Sequence, residues 1–142
     1  MITITELKTA DETVRAAVNA LLLQLSSSGT QIYFSLLEEM VRDPDAVVLV
    51  VRDGEHIIGM GELVVMHTPT GRRGRIEDVV VDLAYRGKGL GRKLMEALVA
   101  AAKERSIQSI ELSSRPSRVE ANALYQKMGF EKKETNVYVM KL

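Results

Sequence analysis

The 142-residue sequence contains no cysteine, which excludes disulfides, thiolate metal sites and a cysteine acyl-enzyme together. It also lacks an excess of either charge: 19 Lys and Arg balance 19 Asp and Glu, so no global positive field exists to hold a nucleic-acid backbone by counterion release. Its only two histidines, His56 and His67, are too isolated to suggest a metal site. No run of about 18 apolar residues occurs, and Met1 to Lys8 alternates like a strand, without the basic-then-apolar layout of a signal peptide. There is no internal repeat and no low-complexity segment. These absences lead us to expect a cytoplasmic protein with no metal, nucleic-acid or membrane partner. What is present fits a globular chain: 46% hydrophobic and 27% charged residues, at a length that one core accommodates, so residues 1–142 are expected to form a single domain.

The hydrophobic periodicity predicts the order of elements. Ile2, Ile4 and Leu7 suggest a first strand, and Val14, Val18, Leu21, Leu22 and Leu25 a helix over Thr9 to Leu25. After a break at Ser26-Ser27-Ser28-Gly29, Thr30 is expected to cap a second helix to about Val41, stopped by Asp43-Pro44. Val47 to Arg52 and His56 to Val65 flank Asp53-Gly54, a hairpin turn pair. Thr68 to Gly71 makes a further turn, Arg72 and Arg73 read as solvated turn residues, and Arg75 to Asp82 reads as a central strand. A helix from Gly91 to about Arg105, a strand from Ile107 to Leu112, a helix from Val119 to Lys127 ending at Gly129, and a closing β pair from Phe130 complete the chain. The implied fold is mixed α/β: an antiparallel meander followed by a right-handed β-α-β crossover.

The most informative stretch is Arg86-Gly87-Lys88-Gly89-Leu90-Gly91, between a strand and a helix. Alternating glycines let the backbone approach a ligand, while free N–H groups and the positive helix end favour an anion. Arg86, Lys88 and Arg92 add cations, each worth roughly 0.3–1 kcal/mol if exposed. A pyrophosphate is the natural guest. The Walker A ending Gly-Lys-Ser/Thr is missing, and a dinucleotide fingerprint needs glycine or alanine where Arg92 stands. An ordinary tight strand-to-helix turn is the alternative reading of the glycines alone.

With Arg86, Gly89 and Gly91 matching Gln/Arg-x-x-Gly-x-Gly/Ala, and Leu124-Tyr125-Gln126-Lys127-Met128-Gly129-Phe130 matching Leu-Tyr-x-Lys-x-Gly-Phe, the chain resembles the GCN5-related N-acetyltransferase (GNAT) family. The likeness is strongest from Arg75 to Phe130. It implies a central, mostly antiparallel sheet with a splayed strand pair, flanked by about four helices. It also implies acetyl-CoA as co-substrate, a backbone at Val79, Val80 and Val81 that pairs with the pantetheine arm, and loop amides at Gly87, Lys88, Gly89, Leu90, Gly91 and Arg92 on the diphosphate. A homodimer is an expectation by the same analogy. Arg75 to Val81 also resembles the corresponding strand of glucosamine-phosphate N-acetyltransferases, but Ser113 stands where those enzymes place an aspartate, so that substrate is not assigned.

The resemblance implies direct acetyl transfer to a primary amine of a small-molecule acceptor. The alternatives are a protein N-terminal or lysine acetyltransferase and a non-catalytic acyl-CoA-binding module. An amine with a pKa of about 10.4 arrives charged, so something must accept its proton. Glu77, on the strand leading to the thioester, is the first candidate; a solvated carboxylate or a contact for the acceptor's ammonium fits it equally. Strand alternation turns Asp78 to the other face. The resemblance gives Tyr125 the role of protonating the departing thiolate. Arg118 stands where many relatives carry an asparagine that touches pantetheine, and Asn122 is expected to substitute. Met60 is a candidate to line an acceptor pocket, which is expected to come mainly from Thr9 to Val41 and the C-terminal strands; Arg115 is a candidate to hold an anionic acceptor.

Overall fold

The computed structural model describes residues 1–26 and 28–142; the expected break at 26–29 includes Ser27, which lies outside the described residues. The chain divides into two compact units, Met1–Leu112 and Ser113–Leu142. The first contains β1 (Ile2–Glu6), α1 (Glu12–Leu25), α2 (Phe34–Arg42), β2 (Ala46–Asp53), β3 (His56–Thr68), β4 (Gly71–Val81), a 3-10 turn (Leu83–Tyr85), α3 (Leu90–Glu104) and β5 (Ser109–Glu111). The second contains α4 (Val119–Lys127). No helix among the described residues is long and apolar enough to cross a membrane.

The sheet runs β1-β2-β3-β4-β5, antiparallel throughout except for the parallel β4–β5 pair that α3 connects. This is the mixed sheet with a meander that the sequence predicts. Val47 to Val51 are all buried, because β2 is covered on both faces and so needs no polar alternation. One face carries Val48, Val50, Met60 and Val80 against Val14, Val18 and Leu21 of α1 and Leu37 of α2. On the other face α3 closes in, and Gly61 makes the approach possible: a Cβ there would lie 2.9 Å from Leu98 Cδ1.

Helix ends follow local chemistry. Asp11 caps α1, its carboxylate accepting from the Val14 N–H at 2.8 Å. The second helix starts at Phe34, later than the expected cap at Thr30. Buried Asn19 explains the delay, since its side chain accepts from Ile32 N–H at 2.7 Å and donates to Ile32 C=O at 3.3 Å, committing that backbone to a non-helical path. The Thr30 hydroxyl is engaged by Ser28 at 2.9 Å instead of capping.

Two further expectations are corrected. Arg72 and Arg73 belong to β4 rather than to a solvated turn: Arg73 pairs with Met66, and Arg72 Nη1 donates to the Arg105 C=O at 2.9 Å. The closing β pair after Phe130 is not formed. Val137, Tyr138 and Val139 are 72%, 87% and 84% exposed, with no ladder partner among the described residues, and β propensity without a ladder partner does not make a strand.

Candidate active site

The strand β4 organises the first unit's chemistry. Its parallel pairing with β5 covers only Arg73 to Arg75, so from Ile76 to Val81 the edge facing β5 has no strand neighbour among the described residues. The pair therefore parts in the way expected of a splayed strand. On the other edge the Asp82 N–H donates to the Ile58 C=O at 2.8 Å, and alternation then turns the Val80 amide toward β3 and those of Val79 and Val81 toward the open edge. The Val80 side chain is 4% exposed and packs in the core.

The ladder is interrupted at the decisive place. Met60 pairs with Val80 and Glu62 with Glu77, leaving Asp78 and Val79 together opposite Gly61, a β-bulge. Asp78 takes the left-handed position, φ 52°, which aspartate tolerates better than most residues. The bulge overturns the alternation argument: Asp78 joins Glu62 in lining a cavity of about 380 Å³ between the sheet, α1, α2 and the segment joining them. Leu22, Ile32, Leu36, Met40, Val48 and Met60 supply apolar walls, so residues between Thr9 and Val41 build much of this cavity, and Met60 lies in it.

Glu77 is half-buried, and its carboxylate accepts from Arg75 Nε; Arg75 also reaches Glu111 at 3.6 Å. Glu62 is different. Burial, followed by the charges of Asp78, Glu77 and Asp43, pushes its carboxyl up to about 7. Burial and the Glu77 charge also raise Asp78 above the usual carboxylate range. Glu62 was not singled out by sequence reasoning. The one signal was an acid inside the run Gly59 to Val65, where alternation equally allows a solvated side chain.

The loop from Asp82 to α3 is built as a cradle. Gly87 and Gly89 have φ 79° and 76°, Gly89 is the helix N-cap, and a Cβ at Gly87, Gly89 or Gly91 would meet nothing within 4 Å. Among the described residues, no backbone N–H from Gly87 to Arg92 donates to a protein acceptor; the first α3 bond of this end is Lys93 N–H to Gly89 C=O. Side chains brace the loop. The Tyr85 hydroxyl donates to Asp53 at 2.6 Å, Lys88 Nζ lies 5.2 Å from the Tyr85 ring centre, and Arg86 Nε donates to the Val81 C=O at 3.0 Å. Arg92 pairs with Glu96 at 2.8 Å. The donors fit a diphosphate.

In the second unit, α4 ends in a Schellman motif: Phe130 N–H bonds the Tyr125 C=O at 3.0 Å, and Gly129 N–H the Gln126 C=O at 3.1 Å, with Gly129 at φ 102°. The accompanying apolar contact is Tyr125 against Phe130, rings edge to face at 6.0 Å. The Gly-Phe pair after the helix thus orients the Tyr125 ring, which is 8% exposed. Asn122 Nδ2 donates to the Arg115 C=O at 3.0 Å, a local bond that leaves its carbonyl oxygen for any other contact.

The first unit thus carries a strand with an open edge and a glycine cradle at a helix start, and the second a Tyr-x-x-x-Gly-Phe helix end. The chain belongs to the acetyltransferase (GNAT) family, whose model matches residues 14–130. It is 44% identical over 63 residues to a probable glucosamine 6-phosphate N-acetyltransferase 2 of rice (Oryza sativa subsp. japonica), covering 44% of this chain and 36% of that protein. It is 30% identical over 98 residues to a putative ribosomal protein bS18 alanine N-acetyltransferase of Bacillus subtilis, covering 68% and 62%. Among solved structures, glucosamine-6-phosphate N-acetyltransferase from Arabidopsis thaliana superposes with a TM-score of 0.79 at 27% identity, covering 97% of this chain and 98% of that one. The sequence matches thus span less than two thirds of either curated relative.

Proposed function

We propose that the chain transfers an acetyl group from acetyl-CoA to a primary amine of a small molecule, directly and within a ternary complex. The observation that carries this reading is on β4: Asp78 faces the cavity, and the amides of Val79 and Val81 lie on the open edge that leads into the glycine cradle. Acceptor and cofactor sites are thereby neighbours along one strand. Family membership supports acetyl-CoA as the donor.

The thioester supplies an activated acyl carbon and a thiolate leaving group. Loop amides from Gly87 to Arg92 hold the diphosphate by charge-assisted hydrogen bonds, and Val79 and Val81 align the pantetheine arm with the strand. Arg86 already holds the Val81 carbonyl, so the Val81 N–H and the Val79 peptide carry the pairing. Glu62 takes one proton of the bound ammonium, so that the neutral nitrogen attacks the acetyl carbon; as the carbon–sulfur bond breaks the nitrogen sheds its second proton, which replaces the one that Tyr125 gives to the sulfur. A carboxyl pushed to about 7 is matched to that task at neutral pH. Glu77, the candidate expected from the sequence, acts in this reading by its charge, which helps hold Glu62 basic while Arg75 fixes its position. Tyr125 returns a proton to the departing sulfur, the role that family resemblance gives it, and the Asn122 carbonyl oxygen is left to contact pantetheine. The test is release of free CoA thiol from acetyl-CoA against a panel of primary amines. Amine-dependent release is expected; protection against unfolding by acetyl-CoA with no thiol release would mark a binding module without turnover.

A further inference from the structure

We infer that the cavity between α1, α2 and the sheet selects a small primary amine with an apolar body, and excludes acceptors bearing phosphate or carboxylate. The inference deepens the acetyltransferase reading and rests on it. At about 380 Å³ the cavity lies toward the lower end of the roughly 300–1,000 Å³ typical of small-molecule sites. Its walls are aliphatic: Val18, Leu22, Leu36, Leu37, Met40 and Met60 give an acceptor body nothing to hydrogen-bond. The neutral polar groups Ser28, Thr30 and Gln31 are exposed and so form the rim, while the half-buried Glu62 of β3 and the exposed Asp78 of β4 line its sheet side.

Charge then discriminates between acceptors. Among the described lining residues there is no Lys, Arg or His, so an anionic group would enter an apolar space beside the half-buried Glu62 carboxylate, with the exposed Asp78 carboxylate at its margin and without a cation to meet it. An ammonium gains from the same arrangement. It relieves the repulsion between Glu62 and Asp78 and presents its proton to the group that removes it. The apolar walls then reward each methylene that follows the nitrogen.

The experiment measures thiol release with straight-chain primary amines from propyl to octyl, beside glucosamine 6-phosphate and a peptide with an N-terminal alanine. The expected result is a kcat/KM that rises about fourfold per methylene until the cavity is full, with little turnover of the sugar phosphate. Met40→Lys, which places a cation in the wall, should abolish that gradient while acetyl-CoA still binds. Release with the sugar phosphate or the peptide but not with alkylamines, or a rate independent of chain length, overturns the acceptor inference and leaves the transferase reading intact. If no acceptor releases thiol, the transferase reading fails, and calorimetry of hexylamine against the CoA-bound protein decides the cavity. Binding that tightens with chain length sustains it; absence of binding overturns it.

Discussion

Replacing Glu62 with glutamine should make the protein more stable and less active, and the two effects should share one pH dependence. Burial lifts the Glu62 carboxyl from 4.5 to about 7, assisted by Asp78, Glu77 and Asp43, while the Arg75 guanidinium is engaged by Glu77. The folded chain therefore holds this proton more tightly than the unfolded chain. Below about 4.5 Glu62 is neutral in both states and costs nothing; between 4.5 and about 7 the unfolded state ionises first and stability falls; above 7 the loss is complete. At about 1.4 kcal/mol per pH unit the ceiling is about 3 kcal/mol. The carboxyl is only half-buried, so solvent screening reduces this to about 1–2 kcal/mol. Glutamine keeps the shape without the charge. Urea melts should show Glu62→Gln more stable than the parent by that amount at pH 8, with the difference vanishing near pH 4. Turnover should fall by roughly 10²–10⁴-fold, with loss of the rising limb near pH 7. Equal stability at pH 8, or a rate profile that keeps this limb, would refute the reasoning. If Glu77→Gln alone removed the limb, the proton acceptor would be Glu77.

The cradle and the second unit give two sharper tests. Gly89→Glu should abolish acetyl-CoA binding in calorimetry, because it puts a side chain and a negative charge at a φ 76° N-cap facing the diphosphate, whereas Gly91→Ala, in open space within the helix, should keep binding and add about 0.5–1 kcal/mol of stability. Tyr125→Phe should lower kcat more than KM with an unchanged melting temperature, since the ring contact with Phe130 survives; an unchanged kcat would leave Tyr125 with packing alone.

What the sequence disclosed depended on how local the cause was. The glycine cradle is legible because Arg86 to Arg92 contains its own geometry: positive-φ glycines, a helix start and free amides are adjacent in the chain. The helix end at Gly129 and Phe130 is legible for the same reason. The start of α2 is not, because the residue that delays it, Asn19, is 13 positions upstream of Ile32. The C-terminal β pair misled because Val137 to Val139 has the propensity but forms no ladder among the described residues, and pairing depends on a partner distant in the chain. Glu62 was missed since an acid within an apolar strand faces water or a cavity according to what covers the sheet, and here α1 and α2 leave the gap.

Asp78 carries a separate argument, because the fold does not need it. Without this residue Glu77 would still oppose Glu62, Val79 would oppose Gly61 and Val80 would still oppose Met60, an unbroken antiparallel ladder with every core side chain on its present face. Val79 already lies beside Gly61: a Cβ on the glycine would be 3.3 Å from Val79 Cγ2. The chain instead carries an aspartate at φ 52°, raised above its usual range by burial and by Glu77, with its carboxylate on the cavity. Backbone held in a sparsely populated region, around a carboxylate set beside the like charge of Glu77, is a local cost without a packing return, the pattern expected of a residue kept for binding. Deleting Asp78 should therefore leave the chain folded and at least as stable at pH 8, while the KM for the amine rises steeply. Loss of folding on deletion would show instead that the bulge is structural.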